Sequence, residues 1–430
     1  MSNSTISARV LARPIEVGLC SRTNGEPIVV SATTNSESVR PVVLSGLAKA
    51  GKSHEPMTRY MPRPALKASL PRARTSPRPP GQDPSPGGSN TRILAIGGTG
   101  FIGRYVVGHL ANSGHDVAVF HRGTKETTLP TSVRHLHGDR ERLAHFQNEF
   151  RDFAPDCVLA MALPAGNDRT GRLFVDVFRG IARRTVVITS RDVYRAFGRL
   201  RRLETGMPDP VPLTETSPLR EKLYPYRGAA ADPMWANSDD LLVERAVMSE
   251  PQFQATVIRL PVIYGPQDEH FHRTFPYLKR MDDGRRAILL DEAHANWRDS
   301  RVYVEDAAWA IVLAATDDRA AGHIYNVAPT RTLTEAEWVE SIGNVAGWSG
   351  DVVRVPREHM PKHLVRDLDF RHDLALSSRR IRDELGFSER ISFEPGLRKT
   401  VEWERNNPPE IQHGLFDYEA EDIALRGTVP

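Results

Sequence analysis

The 430-residue sequence has few cysteines, no long apolar run and little net charge. Its two cysteines, Cys20 and Cys157, exclude a disulfide framework and a cysteine-based zinc cluster. Apolar runs such as residues 307–315 fall well short of the roughly 18 residues that a membrane-spanning helix needs. A net charge of +3 is far below the excess typical of a nucleic-acid-binding protein.

The overall composition is that of an ordinary globular chain, with 40% hydrophobic and 26% charged residues. It excludes a wholly disordered or collagen-like protein, and the length predicts two or three domains. The charge is unevenly distributed. Residues 1–90 carry +7 (12 Lys and Arg against 5 Asp and Glu), whereas the other 340 residues carry −4 (45 against 49).

Residues 1–90 are rich in serine, proline and arginine and bury too little apolar surface to offset their ordering entropy, so we predict a disordered tail. Three roles are consistent with this composition: a dispensable tail or mis-assigned upstream stretch, an organelle-targeting peptide, and a nucleic-acid-binding arm. Four glutamates weaken the targeting role. No apolar segment typical of a secretory signal follows the start, and we expect a cytoplasmic location.

From Thr91 onward short apolar runs alternate with helical patterns. The runs predict strands, and the pattern after the first run predicts a helix over residues 104–112. Such alternation predicts an α/β fold, a Rossmann-type doubly wound parallel sheet with helices on both faces. The predicted strands cover residues 92–96, 116–120, 133–136, 157–162 and 186–189.

A glycine-rich loop, Gly97-x-x-Gly100-x-x-Gly103, lies between the first strand and the first helix. The first glycine permits a tight turn, the second permits close backbone approach to a pyrophosphate, and the third permits close packing of helix and sheet. The helix N-terminus then offers N–H groups to phosphates. This context predicts a dinucleotide site, and the alternative is a glycine-rich turn without a ligand.

Five segments in chain order give the sequence a family resemblance. It resembles the extended short-chain dehydrogenases/reductases, the NAD-dependent epimerase/dehydratase group, over roughly residues 91–405. The segments are TRILAIGGTGFIG (91–103), Gly138-Asp139, RLPVIYGP (259–266), RVYVED (301–306) and Tyr325-Asn-Val327. The resemblance implies a Rossmann domain over 91–265, a smaller substrate-binding lobe over 266–410 from which the chain returns to the sheet near 301–327, and a C-terminal tail over 411–430.

The resemblance also implies which residues hold a nicotinamide cofactor. His121 occupies the slot of the acidic residue that binds the adenosine ribose in NAD-specific members, and Arg122 follows it. A guanidinium attracts a 2′-phosphate that a carboxylate would repel, so NADP is favoured over NAD, unless Arg122 is merely a solvent-facing loop residue. The cofactor-binding residues implied are Gly97, Thr99, Gly100, Phe101, Ile102, Gly103, His121, Arg122, Asp139, Ala162 and Pro261.

The family's catalytic residues are a serine or threonine, a tyrosine and a lysine, the last two four residues apart. Ser190 matches the serine, with a surface hydroxyl as the alternative. The tyrosine slot falls on Ala236 or Ser238 and the lysine slot on Asp240, depending on the alignment. Asp240 has the wrong charge to lower a tyrosine pKa. It pairs with Asp239 either for acid–base chemistry or as a first-turn acid favoured by the helix dipole.

Other candidates for the missing groups lie nearby in sequence: Lys222, Tyr224, Tyr226 and Tyr194. Their spacing does not match the family pattern, and the two tyrosines of the Leu-Tyr-Pro-Tyr-Arg loop have packing as their alternative role.

The predicted lobe after Tyr264 is locally basic. Arg298 and Arg301, next to Trp297, are the residues that the resemblance implies for a substrate diphosphate, together with Tyr264, although basic residues are also ordinary surface residues. His270 and His272 have no third ligand nearby in sequence, so we expect no metal site. Thr334-x-x-Glu337 predicts a capping box that starts a helix, and two further helices are expected over 377–385 and 397–404.

Two functions are consistent with these patterns. One is an NAD(P)-binding epimerase, dehydratase or oxidoreductase that acts on a small-molecule substrate, such as a nucleotide sugar. The other is a catalytically silent dinucleotide-binding sensor or scaffold, because the Tyr-x-x-x-Lys pair is missing. We expect no membrane or nucleic-acid partner, and the family resemblance implies a homodimer as one arrangement.

Overall fold

The computed structural model describes residues 90–124, 127–161, 163, 166–228, 235–251, 253–411 and 414–428. The predicted disordered tail lies outside the described residues, apart from Asn90. None of the helices in these ranges is long and apolar enough to cross a membrane.

The described residues form eleven strands. The first six are β1 (Arg92–Ile96), β2 (Asp116–His121), β3 (Arg134–His137), β4 (Cys157–Ala160), β5 (Arg184–Ser190) and β6 (Ala255–Leu260). The others are β7 (Val262–Tyr264), β8 (Ala287–Asp291), β9 (Arg301–Tyr303), β10 (Ile324–Asn326) and β11 (Asp351–Val355).

Twelve α-helices accompany these strands in the described part of the chain. They are α1 (Gly103–Asn112), α2 (Gln147–Phe153), α3 (Asp168–Phe178), α4 (Arg195–Leu200), α5 (Asp240–Met248), α6 (Phe275–Asp282), α7 (Glu292–Asn296), α8 (Val304–Thr316), α9 (Glu335–Ala346), α10 (Arg379–Leu385), α11 (Phe393–Asn406) and α12 (Tyr418–Thr428).

Seven strands form one parallel sheet in the order β10-β6-β5-β4-β1-β2-β3. Alternate residues of the central strands enter two separate hydrophobic clusters, one on each face: Ile93 and Ala95 in the first, Leu94 and Ile96 in the second. This is the predicted doubly wound Rossmann-type fold, with both faces covered. The neighbours of β1 are β4 and β2, so the strand order reverses at β1, where α/β sheets bind ligands beyond the carboxyl ends of their strands.

The strand predictions differ from the structure at their ends. β5 begins two residues earlier and ends one residue later than predicted, and β3 is displaced by one residue toward the C-terminus. β4 ends at Ala160 rather than at residue 162. β5 is longer because residues 184–187 pair with β4 and residues 185–190 pair with β6.

A buried ion pair connects α5 to strand β6 of the sheet. The Nε and Nη2 groups of Arg259, on β6, donate to the carboxylate of Glu244, on α5, at 2.9 and 2.6 Å. Glu244 also accepts a hydrogen bond of 2.8 Å from the hydroxyl of Thr189 at the end of β5. Neither charged side chain is more than 4% exposed, so each requires the opposite charge of the other to offset its lost hydration.

The C-terminal part of the chain forms smaller units around α9. β8 pairs with β11 and β7 with β9, each in parallel. The capping box at the start of α9 is confirmed: the Thr334 hydroxyl accepts from the Glu337 N–H, and the Glu337 carboxylate accepts from the Thr334 N–H.

The last described residues differ from the predicted tail. Residues 418–428 form α12, and its buried Glu421 accepts hydrogen bonds of 2.6 to 3.1 Å from the Arg280 guanidinium on α6. A buried arginine requires a counter-charge, and α12 supplies it. The predicted helices over 377–385 and 397–404 are present as α10 and α11, within four residues of the expected ends.

Replacing Glu244 with glutamine tests the buried ion pair. The substitution leaves the Arg259 charge in the interior without a counter-ion, so we expect the free energy of unfolding to fall by about 3–5 kcal/mol in urea denaturation at pH 7. Glu250→Gln is the matched control, because Glu250 pairs with the half-exposed Arg179 and its loss should cost less than about 1 kcal/mol. Equal losses in the two variants would contradict the assignment.

Candidate active site at the carboxyl ends of the strands

The glycine loop has the geometry of a phosphate-binding turn. Gly97 has a φ of 88°, which favours glycine, and its N–H donates to the Phe120 carbonyl at 3.0 Å. A Cβ on Gly103 would lie 2.8 Å from the backbone of Gly98, so helix and loop approach too closely for any other residue. A Cβ on Gly100 would meet only the Gly97 carbonyl oxygen, at 4.0 Å, so the second glycine faces open space.

The start of α1 suits an anionic ligand. Ile102 is its N-cap and makes no side-chain hydrogen bond, so no side chain neutralises the positive end of this ten-residue helix. Phe101 and Ile102 pack against the first hydrophobic cluster, and Thr99 is partly buried in the turn. The loop and helix together fit the pyrophosphate of a dinucleotide.

Two arginines lie near the end of β2. Arg122 is exposed, and Arg140 is partly buried. Burial, and then the neighbouring Arg122 charge, lower the pKa of Arg140, as expected for two nearby guanidinium groups. Asp139 is less available than the sequence suggested, because one of its carboxylate oxygens accepts from the Glu141 N–H at 2.9 Å.

His121 is the last residue of β2, one residue beyond the predicted strand, and is buried, with 7% of its surface exposed. Its Nε2 lies 2.9 Å from Nδ1 of His135, and its Nδ1 accepts from the Gly123 N–H at 3.3 Å. Pro261 is buried directly after β6. Ala162 lies outside the described residues, so its predicted cofactor contact stays a prediction.

Ser190 is the last residue of β5, and its side chain is hydrogen-bonded to Asp240, the first residue of α5. The Ser190 hydroxyl also accepts from the Asp192 N–H at 3.3 Å. Burial raises the pKa of Asp240 to about 7, and the charges of Asp192, Glu244 and Asp239 oppose its ionisation further. The residue in the lysine slot is therefore an acid that exchanges protons near neutral pH.

Tyr226 reaches the same place from the loop before α5. Its hydroxyl is hydrogen-bonded to the Asp192 carboxylate. Burial, and then the Asp192 charge, raise the pKa of Tyr226 well above its usual value. Asp192 is held beside Arg191, which donates to both carboxylate oxygens of the buried Asp299 at 2.8 and 3.0 Å. The proton cluster, as we name it, consists of Ser190, Asp192, Tyr226 and Asp240.

The other candidates for the tyrosine and lysine roles have different environments. Asp239 is the N-cap of α5 and pairs with the fully buried Arg220 at 2.8 Å, so it is a structural acid and not half of a carboxylate pair with Asp240. Tyr194 is buried and donates to Asn326 at 2.6 Å. Of the remaining candidates, Lys222 is exposed, Tyr224 is partly buried in an earlier loop, and Ala236 and Ser238 lie just before α5.

The predicted substrate residues are not gathered at one surface. Tyr264 lies in the hydrophobic core with its ring centroid 5.0 Å from that of Trp338, and burial raises its pKa. Arg301 pairs with the buried Glu335 and lies over the Trp338 ring. Arg298 alone of the three is exposed, although it donates to the Thr332 carbonyl at 2.9 Å.

The sequence analysis did not single out three groups of side chains near the ends of the sheet strands. Asp192 lies within the recognised Ser190 segment, and Arg140 follows Asp139 directly, so attention to flanking residues would have found both. The third is a histidine cluster. The sequence analysis considered His270 and His272 as metal ligands but not His135 and His137 on β3. His272 contacts Glu404 at 2.7 Å. An alternating His-x-His pattern on a strand was the available signal.

The parallel sheet, the reversal at β1 and the open glycine loop define a dinucleotide-binding protein of the Rossmann class. The sequence profile of the NAD dependent epimerase/dehydratase family matches residues 93–199 and 237–328. This match confirms the family resemblance in the sequence. The fold and the family support an NAD(P) site at the glycine loop.

Known relatives agree with this placement. The chain is 34% identical over 145 residues to a dTDP-glucose 4,6-dehydratase of Streptomyces niveus, a match that covers 34% of this chain and 40% of that relative. It is 27% identical to dTDP-glucose 4,6-dehydratase 1 of Escherichia coli, over 74% of this chain and 93% of the relative. A UDP-glucose 4-epimerase of Thermus thermophilus, solved with NAD, has the same fold, with a TM-score of 0.54 and 22% identity over 74% of this chain and 99% of that one.

The Asp240 pKa predicts a pH-dependent stability. Because its pKa is about 7 in the folded chain and about 4 in the unfolded chain, folding favours the protonated acid. The contribution of the protonated Asp240 to the free energy of unfolding is complete below about pH 4, decreases between about pH 4 and 7, and is absent above about pH 7. We therefore expect the difference in unfolding free energy between the native chain and Asp240→Asn to fall over this range and then level off. A difference independent of pH would show that Asp240 has an ordinary pKa.

Proposed function

We propose that this chain is an NADP(H)-dependent enzyme that acts on a nucleotide-linked sugar, with Asp240 and Ser190 handling the proton. The observation that carries the proposal is the hydrogen-bonded pair of Ser190 and Asp240, the latter with a pKa of about 7, at the carboxyl end of β5. A general acid–base group works best with a pKa near the working pH.

A bound nicotinamide cofactor supplies the acceptor or donor of hydride in this family's chemistry. The chain's own residues have to move the accompanying proton. The Ser190 hydroxyl hydrogen-bonds the reacting sugar oxygen, and Asp240 takes the proton from that oxygen or returns it through Ser190. This arrangement needs no tyrosinate.

Asp240 is better suited to this role than Tyr226. The pKa of Tyr226 is raised by burial and by Asp192, so its hydroxyl stays protonated at neutral pH and acts as a hydrogen-bond donor. Lysine has two roles in the family's pattern, lowering the tyrosine pKa and holding the nicotinamide ribose. Asp240 cannot fulfil the first, but a carboxylate accepts hydrogen bonds from ribose hydroxyls and can fulfil the second.

The nucleotide-sugar substrate class rests on the relatives. Two of the proteins to which this chain is similar are named as dTDP-glucose 4,6-dehydratases, and a third as a UDP-glucose 4-epimerase. The exposed Arg298 is the predicted substrate residue that remains accessible for a diphosphate. We propose that Arg298 binds the diphosphate of this chain's substrate.

The preference for NADP rests on Arg122 and Arg140. Two guanidinium groups at the end of β2, where NAD-specific members carry an acid, would bind a 2′-phosphate through charge-assisted hydrogen bonds. The pyrophosphate would be held at Gly100 and the start of α1, where the backbone is open.

A second candidate is a dinucleotide-binding sensor without turnover. The acid in the lysine slot favours it, because the tyrosine–lysine chemistry of the family is lost. Turnover and cofactor binding are measured separately below, so that the two candidates give different outcomes.

Cofactor preference is measured as equilibrium binding of NADPH and NADH to the full chain. We expect Arg122→Ala to weaken NADPH binding about 10- to 100-fold, the value of lost charge-assisted hydrogen bonds, and to leave NADH binding within about threefold. Arg142→Ala, an exposed arginine on the same segment as Arg140, is the control and should change neither. Tighter binding of NADH than NADPH by the native chain would refute the NADP preference.

Gly100→Asp tests the glycine loop in the same assay. The new side chain enters the open space with no steric conflict at its Cβ, so the fold should persist while both cofactors lose measurable binding. Gly108→Asp on α1, where a Cβ also meets nothing within 4 Å, controls for the added charge and should bind normally. Normal binding by Gly100→Asp would place the cofactor elsewhere.

Turnover is tested with dTDP-glucose, UDP-glucose, UDP-glucuronic acid and UDP-N-acetylglucosamine. The change in the sugar nucleotide is measured by mass spectrometry. We expect Asp240→Asn to reduce kcat by about 10²- to 10⁴-fold, as for loss of a general acid–base group, and to weaken NADPH binding far less, because the amide oxygen still accepts a hydrogen bond from the ribose. The kcat of the native chain should rise through a pKa near 7 when the sugar is oxidised. NADPH binding with no turnover across the panel would support the sensor instead.

A further inference from the structure

Three histidines lie on one face of the sheet at its β2–β3 edge. His121 and His137 are paired residues in the parallel register of these strands, and His135 precedes His137 by two positions. Because alternate residues of a strand point to the same face, His135 and His137 share a side. Val119 and Val133, which have the same alternation, both pack into the first hydrophobic cluster, so the face is the one covered by α1.

The ring nitrogens of this histidine cluster are close together. One nitrogen from each of His121, His135 and His137 lies within 4.8 Å of the other two. The closest pair, Nε2 of His121 and Nδ1 of His135, is 2.9 Å apart. Two nitrogens on a tetrahedral zinc ion, with Zn–N bonds of 2.0–2.1 Å, are separated by about 3.3 Å. Small side-chain rotations therefore convert the cluster into a coordination set.

We propose that His121, His135 and His137 bind a divalent transition-metal ion, for which zinc is the best match. Neutral imidazoles are preferred ligands of zinc, whereas magnesium and calcium require oxygen ligands. Three protein ligands leave one tetrahedral position for water or an oxyanion. The graded burial of the cluster, from buried His121 to exposed His137, gives the ion a path from solvent.

Metal binding replaces contacts that the histidines make to one another. In the metal-free chain, the Gly123 N–H donates to Nδ1 of His121, so the proton of His121 is on Nε2, which faces His135. Coordination through Nε2 moves this proton to Nδ1 and releases the Gly123 contact, which is long at 3.3 Å. Coordination therefore costs the contact between His121 and His135 as well as the Gly123 contact, and the latter is released at a glycine with a φ of 71°.

This site contains no residue of the proton cluster, but it includes His121, a predicted cofactor-binding residue next to Arg122. Its test therefore measures metal and not turnover. The untagged full chain is dialysed against zinc-buffered solution at pH 7.5, and bound zinc is measured by mass spectrometry. Cobalt(II) then serves as a spectroscopic probe, because its visible bands are intense in four-coordinate sites and weak in six-coordinate ones.

We expect one equivalent of retained zinc and an intense cobalt spectrum in the native chain. His137→Ala, at an exposed position, and His135→Ala should each weaken zinc binding by about 10-fold or more, and the double variant should abolish the cobalt spectrum. His145→Ala, an exposed histidine on the next segment, is the matched control and should bind like the native chain. Circular dichroism verifies that each variant is folded.

Two outcomes would overturn the proposal. If the native chain retains no zinc, the cluster is a hydrogen-bonded histidine pair with a neighbouring ring. If zinc is retained equally by the native chain and the His135/His137 double variant, the ion is held by other surface groups. Because both substitutions avoid the buried His121, neither result depends on a variant that disturbs the core.

Discussion

The ion pair between Glu244 and Arg259 lies in the interior and joins α5 to β6 of the sheet. Glu244 also accepts a hydrogen bond from Thr189, the residue before Ser190. Asp240 is one helical turn before Glu244 and therefore on the same side of α5. Fixing Glu244 against Thr189 thus fixes Asp240 against Ser190. The site chemistry depends on this pair more than on any contact within the site itself, because it determines which helix residue meets the serine.

The same network gives two tyrosine candidates from the sequence different surroundings. Tyr194 is close to Ser190 in sequence, but its hydroxyl accepts from Arg259 at 3.0 Å and donates to Asn326, so it belongs to the scaffold. Tyr226 enters from a distant loop and is held by Asp192, 34 residues earlier. The resulting site combines Asp240, Ser190 and the protonated Tyr226. Its charge is opposite to that of a site with a lysine.

The fold was predictable because its signals are local. Strand and helix alternation, the glycine spacing around Gly100 and the capping box of α9 each reflect short-range geometry, and the structure confirms all three. The site was less predictable. The pKa of Asp240 depends on burial by segments far apart in sequence, and so does the pairing of Arg280 with Glu421 that gives the C-terminal residues a helix instead of a tail. Periodicity carries no information on such partners.

The composition of β3 also affects how copies of this chain behave toward one another. β3 is the last strand of the sheet, and an edge strand presents backbone groups that can pair with another chain and start aggregation. It is only four residues long, and Arg134, His135 and His137 occupy three of its positions. Adding a further strand at this edge would place these polar side chains against those of a neighbour, so the edge resists β-sheet association between molecules.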